Sequence, residues 1–197
     1  GVTSIGDRAF NDCANLTEAV IGKDVTSICK RAFYDCVSLS KVSMGNEIIS
    51  IADSVFAFCE SLSEIAIPDS VEELGEDIFE DCAEDLVIEV TYGTYAYEYL
   101  KELDYYAYEV YCVINITSGE EVIVSERLLY QSTYRMPEKP SVEKEGYIFS
   151  GWTDGNLTYN PSATVTVSSN LELSALWTMK TFKINFELKT GSNPVPS

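Results

Sequence analysis

The sequence predicts an α+β chain with two domains: a repeat solenoid of short parallel strands and short helical turns, followed by a small, mainly-β module. Two observations indicate this fold class. The first is an internal period, because Phe10 and its three counterparts stand 23 residues apart and a cysteine follows each after three residues. The second is a change after about residue 108 to alternating β-branched and polar residues. A fixed period of this kind indicates stacked units that bury their apolar faces against their neighbours.

Seven apolar columns recur with the repeat, which is too many to arise by chance; six keep its register throughout, and the leucine column slips by one residue at Leu86. They are Phe10, Phe33, Phe56 and Phe79; Cys13, Cys36, Cys59 and Cys82; Val2, Val25, Ile48 and Val71; Ile5, Ile28, Ile51 and Leu74; Leu16, Leu39, Leu62 and Leu86; Ala19, Val42, Ile65 and Ile88; and Ile21, Met44, Ile67 and Val90. We expect these columns to form the interior. Replacing Phe33 or Phe56 by alanine should therefore cost about 3–5 kcal/mol of stability.

The pattern inside each unit predicts three elements. Residues 16–21 end in alternation and predict a short strand, with copies at 39–44, 62–67 and 86–90 that stack as a parallel sheet. Residues 25–28 and their copies predict a second short strand or extended turn. Residues 7–13 predict one or two helical turns on the opposite side, with Asp7 as a possible N-cap.

These residues carry a family resemblance. The string V-T-S-I-G-D-R-A-F-N-D-C-A-N-L from Val2 recurs as V-T-S-I-C-K-R-A-F-Y-D-C-V-S-L from Val25 and I-I-S-I-A-D-S-V-F-A-F-C-E-S-L from Ile48. It resembles the BspA-type leucine-rich repeat of bacterial surface proteins over about residues 1–90. The resemblance implies a right-handed leucine-rich-repeat solenoid and an extracellular location at the bacterial cell surface.

A tyrosine-rich segment follows the repeats, with eight of the thirteen tyrosines between Tyr92 and Tyr111. It predicts a helix over about residues 94–103, capped by Thr94, with Ala96, Tyr99, Leu100 and Leu103 on one face. Similar segments close the repeats of BspA-like proteins, so we expect a cap at about residues 91–107. An aromatic platform for sugars is the alternative, but an open solenoid end must be covered by apolar groups.

The second domain is predicted from its strands. Residues 110–116 and 121–129 flank Ser118-Gly119 and predict a β-hairpin. Residues 136–140 form a Pro-containing break, residues 146–152 predict a strand followed by a turn at 153–156, and residues 171–177 predict a last strand.

The strings P-E-K-P-S-V-E-K-E-G-Y-I-F-S-G-W-T-D and L-E-L-S-A-L-W resemble the Listeria–Bacteroides repeat, also called the internalin B-type repeat, over about residues 108–178. The resemblance implies a small β-grasp-like fold. In a module of this size, we expect Trp152 and Trp177 to be core anchors rather than ligand contacts. Residues 179–197 begin with a strand pattern like that of 111–116, and we interpret them as the start of a truncated further copy or as a tail.

Charge and composition exclude several functions. The net charge is −19, and most of it falls on residues 1–110, so we expect neither nucleic-acid binding nor attraction to an anionic membrane. The sequence contains no run of 18 apolar residues, so it predicts no membrane-spanning segment. The acidic run from Asp69 to Glu89 could attract divalent cations, but a solvated face is the favoured interpretation.

The sequence also argues against catalysis and cofactors. With no histidine, Ser-His-Asp and Cys-His sites are excluded, and a short solenoid offers no deep cleft for a pair of carboxylates. Four cysteines belong to the repeat, where small buried thiols are the expected state, and neither Cys29 nor Cys112 has an evident partner. We predict no catalytic residue, metal, cofactor or disulfide.

The remaining hypotheses are a binding module and a structural spacer. The first is an adhesin-like, non-catalytic, secreted or cell-surface protein that presents a repeat face to an unknown protein or glycan. The second is a stalk segment without a ligand. We expect a monomer, and a sequence that is a piece of a longer or processed protein. The candidate binding face consists of the outward residues of the predicted strands: Glu18, Val20, Lys41, Ser43, Glu64 and Ala66.

Overall fold

The computed structural model describes residues 1–103 and 108–181 and is mostly β-structure. Within these residues a single helix, α1 (Tyr95–Glu102), accompanies fifteen strands. The strands are β1 (Ser4–Ile5), β2 (Glu18–Val20), β3 (Ser27–Ile28), β4 (Lys41–Ser43), β5 (Ser50–Ile51), β6 (Glu64–Ala66), β7 (Glu73–Leu74), β8 (Val87–Thr91), β9 (Tyr108–Ser118), β10 (Glu121–Leu129), β11 (Thr133–Arg135), β12 (Tyr147–Thr153), β13 (Thr158–Tyr159), β14 (Thr164–Thr166) and β15 (Leu171–Met179).

The first eight strands confirm the predicted solenoid of parallel strands. β1, β3, β5 and β7 form one parallel sheet, with Ile5, Ile28, Ile51 and Leu74 in register. On the other side, β2 pairs in parallel with β4, and β6 pairs in parallel with β8. Each pairing joins residues 23 positions apart, because one unit lies directly on the next.

The predicted helical turns at residues 7–13 and their copies are wrong, because these segments are series of tight turns. Arg8 and Asp12 have φ angles of 54° and 59°, and no α-helix accommodates such left-handed residues in its interior. The physical reason lies between the units. The N–H groups of Arg8, Phe10 and Asp12 donate to carbonyls of the next unit over 3.1, 2.8 and 2.9 Å, so they are not available for intrahelical bonds.

The phenylalanine and cysteine columns form the interior, as predicted. Phe10, Phe33, Phe56 and Phe79 stack with ring centroids 5.1, 5.5 and 6.0 Å apart. The rings of Phe33 and Phe56 are buried, whereas Phe10 at the end of the stack is 41% exposed. The thiols add an interaction that the sequence did not reveal. The Sγ atoms of Cys36, Cys59 and Cys82 each donate to the carbonyl of the phenylalanine one unit earlier, over 3.1–3.3 Å.

Helix α1 confirms the prediction for residues 94–103. Its N-cap is Thr94, whose hydroxyl oxygen accepts a hydrogen bond from the N–H of Tyr97. Ala96 and Leu100 are buried against the repeats, and the Tyr99 hydroxyl donates to the Gly75 carbonyl over 2.7 Å. Leu103 departs from the prediction, because as the C-cap residue it is 57% exposed.

Strand β9 connects the repeats to the remainder of the chain. Its first half pairs in parallel with β8, the last repeat strand, and its second half pairs in parallel with β15 along the same edge. Between the two, the Asn170 side chain accepts from the Val113 N–H and donates to the Tyr92 carbonyl, over 2.8 and 3.1 Å. The sheet therefore runs without interruption from β6 to β13, in the order β13-β12-β15-β9-β8-β6, and β10 covers the other edge of β9.

A second hydrophobic core lies beneath β9, β12 and β15. Trp152 is its largest member, completely buried, with its Nε1–H donating to the Pro137 carbonyl over 2.8 Å. The prediction that Trp177 is also a core anchor is wrong. Trp177 is only half-buried and rests edge-on against Phe149, because it comes from the end of β15 that extends beyond the pairing with β9. Residues 182–197, which carry most of the segment interpreted as a truncated copy or tail, lie outside the described residues.

Candidate functional site

The candidate face is the outer surface of β2, β4 and β6. In each of these strands the middle residue is buried and its two neighbours are exposed. All six proposed residues therefore point away from the core, because side chains alternate along a strand. They are Glu18, Val20, Lys41, Ser43, Glu64 and Ala66.

Charge along the face alternates from strand to strand. Glu18 and Lys41 lie directly opposite each other in the β2–β4 ladder, and their charged atoms are 3.1 Å apart. Both side chains are more than half exposed, so the pair contributes little to stability and remains available to a partner. Beside them, Val20 is 75% exposed, which is unusual for an apolar residue on a regular strand.

A groove adjoins the face where β4 and β6 end. Its volume is about 530 Å³. Ser43 and Ala66 of the candidate face contribute to its wall, together with the loops that follow β4 and β6. The far wall comes from the strands that follow the repeats, through Val113 of β9 and Arg127 of β10. The repeats and the following strands thus build this concavity together.

Arg127 is fixed in place by two neighbours. Its Nη1 donates to Oε2 of Glu89 over 3.0 Å, and its guanidinium lies 4.2 Å from the centre of the Tyr111 ring. Burial and a hydrogen bond to Glu109 raise the pKa of Tyr111 to about 12, so the ring remains neutral at physiological pH. The cation–π contact and the carboxylate partner orient the guanidinium, so less side-chain entropy is lost when it binds a ligand.

Sequence reasoning missed most of the groove. Asn46 and Ser70 lie in the loops that follow β4 and β6, and the 23-residue period could have identified those loops as neighbours of the face. The same period places Thr91, the last residue of β8, one unit after Pro68, whereas Val113 and Arg127 carried no such signal. Their position depends on the parallel pairing of β8 with β9, which the alternation of residues does not specify.

The cysteine column has the properties of a structural element. All six cysteines are free thiols. Burial raises the pKa of Cys59 to about 12 and that of Cys82 to about 11, so these groups stay protonated and unreactive at neutral pH. Within residues 1–103 and 108–181, no cluster of three acidic, cysteine or histidine side chains is arranged to hold a metal ion. In the same residues, no helix is long and apolar enough to cross a membrane.

Comparison with known proteins agrees with the repeat architecture. The model of the BspA type leucine rich repeat region matches residues 1–101 in six copies, and the chain belongs to this family. A protein of Evansella cellulosilytica named "Putative Gly-rich membrane protein" is 29% identical over 90 residues, which are 43% of this chain and 10% of the relative. The chain thus spans about a tenth of the length of that relative.

Two solved structures are also similar. A leucine-rich repeat protein from Bacteroides capillosus is 36% identical, and the match covers 42% of this chain and 62% of that one with a TM-score of 0.37. The leucine rich repeat protein of T. pallidum is 24% identical, and the match covers 45% of this chain and 52% of that one, also with a TM-score of 0.37.

Proposed function

We propose that this chain is a non-catalytic, adhesin-like part of a secreted or cell-surface bacterial protein, and that its repeat face binds a protein or glycan. The observation that carries the proposal is the continuity of the exposed β2–β4–β6 face with the groove beside Arg127. Family membership supports a surface repeat protein. We expect a monomer outside the bacterial cell, without a cofactor.

Geometry and charge suit an extended ligand. The face offers alternating charges at Glu18, Lys41 and Glu64, which can fix the register of a partner. The groove adds small and neutral side chains, such as Ser43 and Ala66, that allow close approach of a backbone or a sugar ring. Arg127 supplies a preorganised set of donors at the far wall.

We also propose two domains, a BspA-type repeat domain at 1–107 and an internalin B-type module at 108–178, with 179–197 as a truncated further copy or tail. The strand order β10-β9-β15-β12, with the module's first and last strands as parallel neighbours, supports a β-grasp-like module. The proposed boundary at 107 and 108 lies at the edge of residues 104–107, which are outside the described residues. The two separate hydrophobic cores support the division.

A binding screen tests the function. The full chain, immobilised on a biosensor, would be exposed to a panel of mammalian extracellular glycoproteins and to a glycan array. For any ligand found, the double variant Lys41→Glu/Glu64→Lys should weaken binding at least tenfold without changing net charge. Lys30→Glu/Glu73→Lys is the matched control, since it makes the same exchange among exposed residues on the opposite side of the repeats.

Each outcome has a consequence for the proposal. Binding that survives Lys41→Glu/Glu64→Lys would refute the choice of face. The absence of any ligand in the screen would favour the alternative function, a structural spacer or stalk that holds other parts of a larger surface protein away from the cell.

A further inference from the structure

A second groove lies beside the second core, and all of its lining residues come from outside the repeats. Its volume is about 480 Å³, within the range of small-ligand pockets. The start of β12, the end of β15 and the loop over residues 139–146 form its walls. It combines aromatic side chains with three lysines: Lys139, Lys144, Tyr147, Phe149, Trp177 and Lys180.

The aromatic wall is anchored to the core. Trp177 meets Phe149 edge-on with ring centroids 5.6 Å apart, and Phe149 meets the fully buried Trp152 edge-on at 4.9 Å. The Trp177 indole therefore packs on a ring that is itself anchored in the core, while part of its surface stays open to the groove. A half-buried indole that is packed in this way presents an apolar surface to a ligand. Because folding already orders the side chain, little further side-chain entropy is lost when a ligand binds.

One of the lysines, Lys144, is held against this wall. The Lys144 ammonium lies 4.3 Å from the centre of the Tyr147 ring, a cation–π contact. The loop that carries it is secured by the Tyr147 N–H donating to the Lys144 carbonyl and by the Lys180 N–H donating to the Gly146 carbonyl, over 3.1 and 2.8 Å.

The charge of this groove differs from that of the chain. The charged residues that line the groove are three lysines and two glutamates, Glu143 and Glu145. The net charge of the groove is therefore +1, whereas the whole chain carries −19. A local cationic site on an acidic protein attracts anionic groups at short range and is screened by salt.

We propose that this groove binds an acidic saccharide, in which a sugar ring stacks on Trp177 and its carboxylate meets the ammonium groups of Lys144 and Lys180. The C–H face of a pyranose matches a flat indole, and lysine provides a mobile point charge for a carboxylate. This site is independent of the repeat face, so it can be tested separately from the proposed adhesin function.

The probe is a hyaluronan tetrasaccharide, which alternates glucuronate with N-acetylglucosamine, titrated into the full chain by calorimetry and by tryptophan fluorescence. We expect saturable binding that weakens as salt is added, and a fluorescence change that is lost in Trp177→Phe. The neutral N-acetylglucosamine tetrasaccharide should bind several-fold more weakly. A tetra-glutamate peptide carries the charge without the sugar ring and should also bind more weakly.

Variants locate the site. Trp177→Ala should weaken binding about tenfold through loss of the stacking surface. Lys144→Gln/Lys180→Gln should weaken it by a comparable factor, since each exposed ion pair contributes up to about fivefold. Both lysines are exposed, so this variant should fold normally, which circular dichroism can verify. Lys23→Gln/Lys30→Gln on the repeats is the matched control and should leave binding unchanged.

The proposal is overturned if the hyaluronan probe does not bind, or if the neutral saccharide binds equally well. It is also overturned if tetra-glutamate binds as tightly as the saccharide, or if folded Lys144→Gln/Lys180→Gln keeps its affinity. Because Lys41→Glu/Glu64→Lys should leave saccharide binding intact, failure here and failure of the repeat face are distinguishable.

Discussion

Substitution of Phe56 by alanine should lower the free energy of unfolding by about 3–5 kcal/mol. The Phe56 ring is 0% exposed, and burial of a large apolar side chain contributes about 1.5–3 kcal/mol. It stacks on Phe33 at 5.5 Å and on Phe79 at 6.0 Å, and each aromatic pair adds about 0.5–1.5 kcal/mol beyond burial. Urea denaturation followed by far-UV circular dichroism measures the change as a shift in midpoint at constant slope.

Phe10 supplies the internal control for this prediction. It occupies the same column but is 41% exposed and stacks on one ring instead of two. Phe10→Ala should therefore cost less than about 2 kcal/mol. A loss below about 1 kcal/mol for Phe56→Ala, or equal losses for the two variants, would show that the stacked column is not the source of solenoid stability.

Three further predictions concern the thiols, the glycines and the joint, by which we mean the pairing of β8 with β9 that connects the repeats to the strands after them. The free energy of unfolding should decrease as pH rises above about 9, because Cys59 keeps its proton up to a pKa of about 12 in the folded chain but releases it near 9.0 in the unfolded chain. Urea titrations on either side of pH 9 measure this decrease. The free energy of unfolding of Cys59→Val should depend less steeply on pH. Gly45→Ala should lower the free energy of unfolding by about 1–3 kcal/mol in the same assay, because the added Cβ would lie 2.7 Å from the backbone of the preceding unit. Gly22 occupies the same repeat position, but a Cβ there meets nothing within 4 Å. Gly22→Ala should therefore change stability by less than about 1 kcal/mol. A double-mutant cycle on Glu89→Gln and Arg127→Ala should give a coupling of about 1 kcal/mol, and a value near zero would mean that this ion pair does not stabilise the joint.

The interior of the solenoid could be predicted from sequence because every core position is repeated. A buried residue such as Leu39 or Ile51 is identified by its counterparts one unit away, which is much stronger evidence than any single apolar residue. The turns at residues 7–13 could not be predicted in this way. Their conformation depends on hydrogen bonds from Arg8 and Asp12 to the next unit, and these are absent from the local pattern of one unit.

The candidate sites were predictable only in part. The exposed residues of β2, β4 and β6 follow from alternation along each strand, so Glu18 and Lys41 could be assigned to one face. Arg127 could not, because its place beside that face depends on how β8 pairs with β9. Residue type and module size predict a core position for Trp177, and its half-buried position follows from the extension of β15 beyond β9.

Strand β9 has a mechanical consequence for the way force passes between the two hydrophobic cores. Hydrogen bonds join β8 to the first half of β9 and β15 to its second half. Both sets of bonds run across the axis of β9. Tension that separates the two cores along this axis would load these bonds in shear, so that several must break together, instead of opening one after another as in a peeled hairpin. We expect the joint to transmit a pulling force as a stiff element, and not to yield like a hinge.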